Sequence, residues 1–236
     1  MNQCRLLLFD LDGTLLRSDK TISQRTLKTL QECRDKGILI GVSTSRSEQN
    51  ALSFIKELQP DVLIVSGGAL VKYKGEYIYK AEFSGKETRQ MIAASREICG
   101  ADCENFNESS LKMCVEIFDE HQAERLRKVL QDCDCIRFSD GYWYKFTKKT
   151  ATKERAILEI SVACGISTEQ MAAFGDDYAD MGMLTLCGQG IAMGNAIDEV
   201  RAKADMIIGS NDEDGIAEYL ENEFLLGGNC KAERGI

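Results

Sequence analysis

Histidine is nearly absent from this sequence, and so is the cysteine spacing that accompanies it in many zinc sites. The 236 residues include one histidine, His121, and ten cysteines, none of which forms a Cys-x-x-Cys pair. Structural and catalytic zinc is held by histidines and closely spaced cysteines. A zinc centre is therefore not expected, and we expect the cysteines to be the reduced thiols of a cytoplasmic protein.

Positive charge and long apolar runs are also scarce. The 29 lysines and arginines are outnumbered by 38 aspartates and glutamates, which gives a formal net charge of -9. A nucleic-acid partner requires a basic face, so none is expected. The negative net charge does not exclude a small phosphorylated substrate, because positive charge close to the binding site can outweigh the field of the whole protein. No apolar run is long enough to span a bilayer and no signal peptide is visible, so no membrane partner is expected. The sequence carries no signal for an oligomeric state.

The sequence is organised around a short stretch near its start. An apolar run at residues 5–9 is typical of a strand buried on both faces, and Asp10, Asp12, Gly13 and Thr14 follow it. If the strand continued, both carboxylates would point to one side and would suit a hard cation such as Mg²⁺. One could act as a nucleophile and the other as a general acid and base. The alternative is a strand-end turn with two solvated aspartates.

The order of apolar runs predicts an α/β protein with an insertion. Strands and helices alternate at both ends of the chain, as in a doubly wound, Rossmann-like parallel sheet. Between them the pattern changes to helix, strand, strand, twice over, with the first of these strands at residues 102–107. We predict a core domain at residues 1–82 and 148–236 and an inserted α+β cap domain at residues 83–147.

Polar clusters occur at four strand ends or helix starts of the core. In chain order they are Asp10 with Asp12; Thr44, Ser45 and Arg46; Lys153; and Asp176, Asp177 and Asp180. Taken singly, each has an ordinary structural explanation as a cap, a surface lysine or a partner of a helix dipole. Taken together, they can supply a nucleophile, a hydroxyl and amide cradle, a cation and a metal site at one sheet edge.

This order resembles the four signatures of the haloacid dehalogenase-like hydrolase superfamily, whose members are mostly aspartate-nucleophile phosphatases. The place and pattern of the insertion resemble the Cof-like branch, as do the runs at residues 190–196 and 210–215. The resemblance implies catalytic roles for Asp10 as nucleophile, Asp12 as acid and base, Thr44 and Lys153.

The same resemblance implies two sets of ligand-binding residues. The phosphate-binding set is Gly13, Thr44, Ser45, Arg46, Lys153 and Asn195. The Mg²⁺ set is Asp10, Asp12 through its backbone, Asp176 and, at one remove, Asp180. Three positions depart from the usual Cof-like pattern, because Ser45 replaces a glycine, Ala179 replaces an asparagine, and Gly67 stands where an asparagine is often found.

The leading functional hypothesis is a Mg²⁺-dependent phosphatase of small phosphorylated metabolites, sugar phosphates among them. A phosphomutase would use the same groups to pass the phosphoryl group to a second hydroxyl. A non-catalytic phosphate-binding or regulatory protein is the third hypothesis, motivated by Ala179. Substrate choice should depend on the inserted cap, where Asn105, Asn107 and Glu108 are candidate contacts.

Overall fold

The computed structural model describes residues 4–101, 108–137 and 141–225. The first part of the chain alternates strands and helices and ends in a hairpin. Its elements are β1 (Leu6–Phe9), α1 (Gln24–Asp35), β2 (Leu39–Ser43), α2 (Glu48–Leu58), β3 (Val62–Val65), β4 (Leu70–Tyr73) and β5 (Glu76–Lys80). Ser23 and Ser47 cap the two helices, each accepting a backbone N–H bond three residues further on.

The inserted segment forms a second, smaller sheet with two helices. Its elements are α3 (Gly85–Cys99), β6 (Lys112–Glu116), α4 (Glu120–Val129), β7 (Cys133–Arg137) and β8 (Trp143–Lys148). β8 lies between β6 and β7 and pairs antiparallel with both. The strand predicted at residues 102–107, with Asn105 and Asn107, lies outside the described residues.

The last part of the chain returns to alternating helices and strands. Its elements are α5 (Lys153–Cys164), β9 (Met171–Gly175), α6 (Met181–Leu186), β10 (Gln189–Ala192), α7 (Asp198–Arg201), β11 (Met206–Ile207) and α8 (Gly215–Leu220). Within the described residues, no helix combines the length and the apolar character needed to cross a membrane.

The large sheet places β1 among parallel neighbours. Its strand order is β11-β10-β9-β1-β2-β3-β4-β5, and its neighbouring strands pair parallel except at β3–β4 and β4–β5, which are antiparallel. All four residues of β1 are fully buried, as its uninterrupted apolar sequence predicts. The doubly wound α/β prediction is confirmed. Because β2 and β9 flank β1, the residues that follow these three strands meet at one edge.

Each sheet has its own hydrophobic core. The large sheet's core includes Leu8, Phe9 and Phe174, whereas the smaller one is built from residues such as Val115 and Tyr144. One face of the smaller sheet packs on its helices, and among the described residues the side chains of the other face are mostly exposed. Separate cores agree with an inserted cap, while the boundaries at residues 82/83 and 147/148 stay predictions.

Candidate active site

The site lies at the carboxyl edge of the large sheet, where three neighbouring strands end. Asp10 follows β1, Thr44 follows β2, and Asp176 follows β9. The backbone N–H of Asp10 donates to the carbonyl of Phe174 at 3.0 Å, so the chain stays on the sheet for one residue beyond β1. Open α/β sheets bind ligands at this edge.

Lys153, the first residue of α5, is the buried cation of the site. Its Nζ donates to Oδ1 of Asp10 and of Asp180, both at 2.6 Å, and to the carbonyl of Ser43 at 2.8 Å. Burial alone would lower the pKa of Lys153, but the two carboxylates raise it overall. These three acceptors explain a lysine at the start of a helix, where the helix dipole alone disfavours a cation.

Three carboxylates converge beside this lysine. One oxygen each of Asp10, Asp176 and Asp180 lies within 4.8 Å of the other two. Burial raises the pKa of Asp10 to about 7, although Lys153 partly opposes the shift, and burial also raises the pKa of Asp176 to about 6. A close set of desolvated carboxylates is a hard oxygen donor set of the kind that Mg²⁺ prefers.

Asp180 holds the turn that carries Asp176. Its Oδ2 accepts the backbone N–H of Asp176 at 3.0 Å and that of Asp177 at 3.2 Å, while its Oδ1 accepts from Lys153. Gly175 allows this close approach, since a Cβ there would lie 2.4 Å from the Asp180 Cβ. Both oxygens of Asp180 are thus engaged by protein groups, which favours an orienting role over direct metal ligation.

The turn after β1 is fixed against Asp176. The hydroxyl of Thr14 donates to Asp176 Oδ1 at 2.6 Å. Gly13 has a φ of +79°, and a Cβ there would lie 2.3 Å from Asp176 Oδ2, so the position requires glycine. Asn195 Nδ2 donates to the Gly13 carbonyl at 2.7 Å. Gly13 and Asn195 therefore shape the turn that carries Asp12. Sequence reasoning treats Thr14 only as a turn residue and misses its contact.

The carboxylates of Asp10 and Asp12 diverge, because β1 ends at Phe9 and the chain turns. Arg46 holds the Asp12 carboxylate through two bonds, Nε to Oδ2 at 2.6 Å and Nη2 to Oδ1 at 2.7 Å. Lys20 adds a third contact at 3.0 Å. These hydrogen bonds, that of Arg46 above all, lower the pKa of Asp12 to about 2. Arg46, which we predicted to bind phosphate, thus pairs with Asp12.

The turn after β2 is locked to the turn after β3. Thr44 is buried, and its Oγ1 accepts the backbone N–H of Arg46 at 3.2 Å. Two backbone hydrogen bonds join this turn to the one after β3. The Thr44 carbonyl accepts from Gly67 N–H at 3.0 Å, and the Arg46 carbonyl accepts from Ser66 N–H at 2.7 Å. Ser45 projects between these fixed neighbours and lines a cleft shared with the cap.

This cleft, of about 160 Å³, has one wall from the core and one from the cap. The core wall is formed by Ser45, Ser66, Gly67, Ala151, Thr152, Lys153, Glu154 and Ala179. The cap wall is formed by Asp134, Ile136, Lys145 and Thr147. Glu108, the cap contact that we predicted within the described residues, is exposed and does not line it. The alternating sequence of β8 is the signal that could have identified Lys145 as a residue of the open face.

The chain belongs to the haloacid dehalogenase-like hydrolase family, whose sequence pattern it matches over residues 7–107 and 100–220. It is 29% identical to the 5-amino-6-(5-phospho-D-ribitylamino)uracil phosphatase YitU of Bacillus subtilis, over 94% of this chain and 98% of that protein. It is 27% identical to the phosphoglycolate phosphatase of Pyrobaculum neutrophilum, over 96% of this chain and 98% of that one.

A solved structure extends this similarity to three dimensions. The subclass IIB sugar phosphatase BT4131 matches with a TM-score of 0.74 and 26% identity, covering 92% of this chain and 98% of that one. Fold, site geometry and relatives thus agree on a Cof-like member of the family.

Proposed function

We propose that this protein is a Mg²⁺-dependent phosphatase that hydrolyses small phosphorylated metabolites through a phosphoryl group held on Asp10. The observation that carries the proposal is the position of Asp10, buried at the sheet edge between the ammonium of Lys153 and the carboxylates of Asp176 and Asp180. The phosphatase relatives across nearly the whole chain support the enzyme class.

The donor set fits Mg²⁺. The carboxylates of Asp10 and Asp176 and the backbone carbonyl of Asp12 would hold the ion, and Asp180 would orient one of its waters. When bound, Mg²⁺ supplies positive charge that offsets the charge on the phosphoryl oxygens. Lys153 contributes to the same balance from the other side of Asp10, and the Thr44 hydroxyl lies at the neighbouring strand end.

The reaction has two steps that use the same pair of aspartates. A carboxylate oxygen of Asp10 attacks phosphorus, the bond to the substrate oxygen breaks, and that oxygen takes a proton from Asp12. Water then attacks the same phosphorus and gives its proton to Asp12. The bond to Asp10 breaks and free phosphate leaves.

Asp12 must leave its partners to act in this cycle. Held by Arg46 and Lys20, it is ionised and cannot donate a proton. Its side chain is 40% exposed in the ion pair, so rotation away from Arg46 meets little packing. Released, its pKa would rise toward the ordinary range of an aspartate, which increases the protonated fraction that can donate while the ionised form can still accept.

Sugar phosphates and related phosphorylated polyols are the proposed substrate class, and the cytoplasm is the proposed location. The sugar phosphatase BT4131 and the phosphatase YitU support the first proposal. The second is supported by the free thiols of all cysteines in the described part of the chain.

Phosphate release from para-nitrophenyl phosphate and from a panel of phosphorylated metabolites tests the function. We expect steady turnover, loss of activity with excess chelator, and recovery with added Mg²⁺. Turnover unchanged in chelator would contradict the metal requirement. A product isomer in place of free phosphate would indicate a phosphomutase, and absence of any turnover would indicate a non-catalytic phosphate-binding protein.

A further inference from the structure

Lys145 is a cation whose ammonium group has no ion-pair partner within the described residues. It lies in β8, the central strand of the cap sheet, where its lateral partners are Cys114 on β6 and Ile136 on β7. Within the described parts of the chain its side chain makes no hydrogen bond or ion pair. By contrast, Lys148 on the same strand pairs with Glu87 at 3.2 Å.

The direction of Lys145 follows from the packing of its neighbours. Tyr144 and Phe146 are buried in the cap core, so alternation along the strand turns Lys145 to the opposite face. That face closes the cleft, where Lys145 lines the same space as Ser45 and Lys153. The cap therefore directs one ammonium group toward the site that holds the reacting phosphate.

Partial burial makes it unfavourable for the Lys145 ammonium group to remain without a counter-ion. The side chain is partly buried, and this desolvation lowers its pKa, which the nearby charge of Lys112 lowers further. Asp134 and Glu116 share its face of the sheet in diagonal positions, and Glu154 lines the core wall of the same cleft, but none of the three lies within ion-pair distance of Lys145. A desolvated ammonium without a carboxylate is stabilised by an anion that arrives from outside the protein.

We propose that Lys145 binds a second anionic group, a carboxylate or a phosphate, on the non-reacting part of the substrate. This inference rests on the proposed phosphatase function and narrows its substrate class to phosphorylated metabolites with two anionic ends. The reacting phosphate already has Lys153 and the strand-end site.

Matched substrate pairs test this specificity. Glycerol phosphate and phosphoglycerate share a carbon skeleton and differ by a hydroxymethyl against a carboxylate, and fructose monophosphate and bisphosphate differ by a second phosphate. In one or both pairs, we expect the wild-type enzyme to prefer the member with the second anionic group by about 10- to 100-fold in kcat/KM, as for a charge-assisted hydrogen bond. The pair that shows the preference identifies the anion as carboxylate or phosphate.

The variant Lys145→Met removes the charge and keeps most of the side-chain length. We expect its KM for the preferred doubly anionic substrate to rise about 10- to 100-fold, with kcat for that substrate unchanged. Turnover of the member of the pair that lacks the second anion should also stay unchanged. Lys145→Arg should retain the preference. Lys128→Met is the control, because it removes an exposed lysine of the cap, on α4 and outside the cleft, and it should change nothing.

Two results would overturn the inference. One is a wild-type enzyme that treats both members of each pair alike. The other is an equal loss on all substrates in Lys145→Met, which would mean that Lys145 contacts the reacting phosphate or serves the cap structure. Turnover of para-nitrophenyl phosphate, which has no second anion, tests the phosphatase function separately. If that substrate is not cleaved, calorimetric binding of phosphoglycerate and fructose bisphosphate to wild type and to Lys145→Met gives the same comparison without catalysis.

Discussion

The core side and the cap wall of the cleft differ in whether their cationic side chains are paired. On the core side, Lys153 and Arg46 each reach carboxylate oxygens at 2.6 Å, and Lys153 is almost completely buried. On the cap side, the side chains of Lys145 and Asp134 have no hydrogen bond or ion pair within the described residues. The cations of the core side are therefore paired before substrate binds, whereas Lys145 on the cap wall is left unpaired.

This difference assigns the chemical step to the core wall and the choice of substrate to the cap wall. Groups fixed by hydrogen bonds can stabilise developing charge without reorganising, so the core wall suits a step that is the same for every phosphate ester. Unmatched groups on a second sheet with its own core can change without disturbing that step. Variants of the core wall should affect all substrates, and variants of the cap wall should affect only some.

The largest effect is expected at Asp10. Asp10→Asn preserves the shape but removes the nucleophilic charge, and turnover of every substrate should fall by at least ~10³-fold. Asp177→Asn is the control, since asparagine can keep the local cap on Tyr178 N–H and this variant should stay near wild type. Appreciable turnover by Asp10→Asn, measured as phosphate release, would rule out a nucleophilic role.

The next effect is expected at Lys153, on stability as well as activity. Lys153→Met leaves the carboxylates of Asp10 and Asp180 buried without their cation, and breaking a buried pair in this way costs about 3–5 kcal/mol. Urea unfolding in the absence of metal measures this loss. The exposed control Lys28→Met, which breaks only a surface pair with Glu32, should stay within about 0.5 kcal/mol. Equal stability of both variants would mean that the core wall is not held together by Lys153.

The smallest effect is expected when the cap is replaced by a short linker between residues 82 and 148. The core should still fold and cleave para-nitrophenyl phosphate, because its hydrophobic core is separate from that of the cap. The differences in kcat/KM among the metabolites of the panel should become smaller than in the wild-type enzyme. A folded core that keeps the wild-type ranking would show that the cap wall does not select substrates.

More of the strands and site residues could be predicted from sequence in the core than in the cap. Buried parallel strands such as β1 are continuous apolar runs, and the polar residues that follow them must meet at one edge. The partners of Asp12 could not be predicted, because the turn after Phe9 sends its carboxylate toward Arg46. In the cap, we predicted loop residues such as Glu108 as contacts and not Lys145. Alternation along β8 assigns Lys145 to the polar face of the strand, but only packing shows that this face meets the core domain.

The central claim is that Asp10 carries the phosphoryl group, and intact-protein mass spectrometry of Asp12→Asn tests it most directly. This variant cannot activate water, whereas nitrophenolate leaves with little help from an acid, so the first step should proceed and the second should stall. After mixing with para-nitrophenyl phosphate and Mg²⁺, we predict a mass increase of one phosphoryl group. The increase should be absent from the double variant with Asp10→Asn. Rapid phosphate release by Asp12→Asn without any adduct, or an adduct that persists without Asp10, would contradict the account.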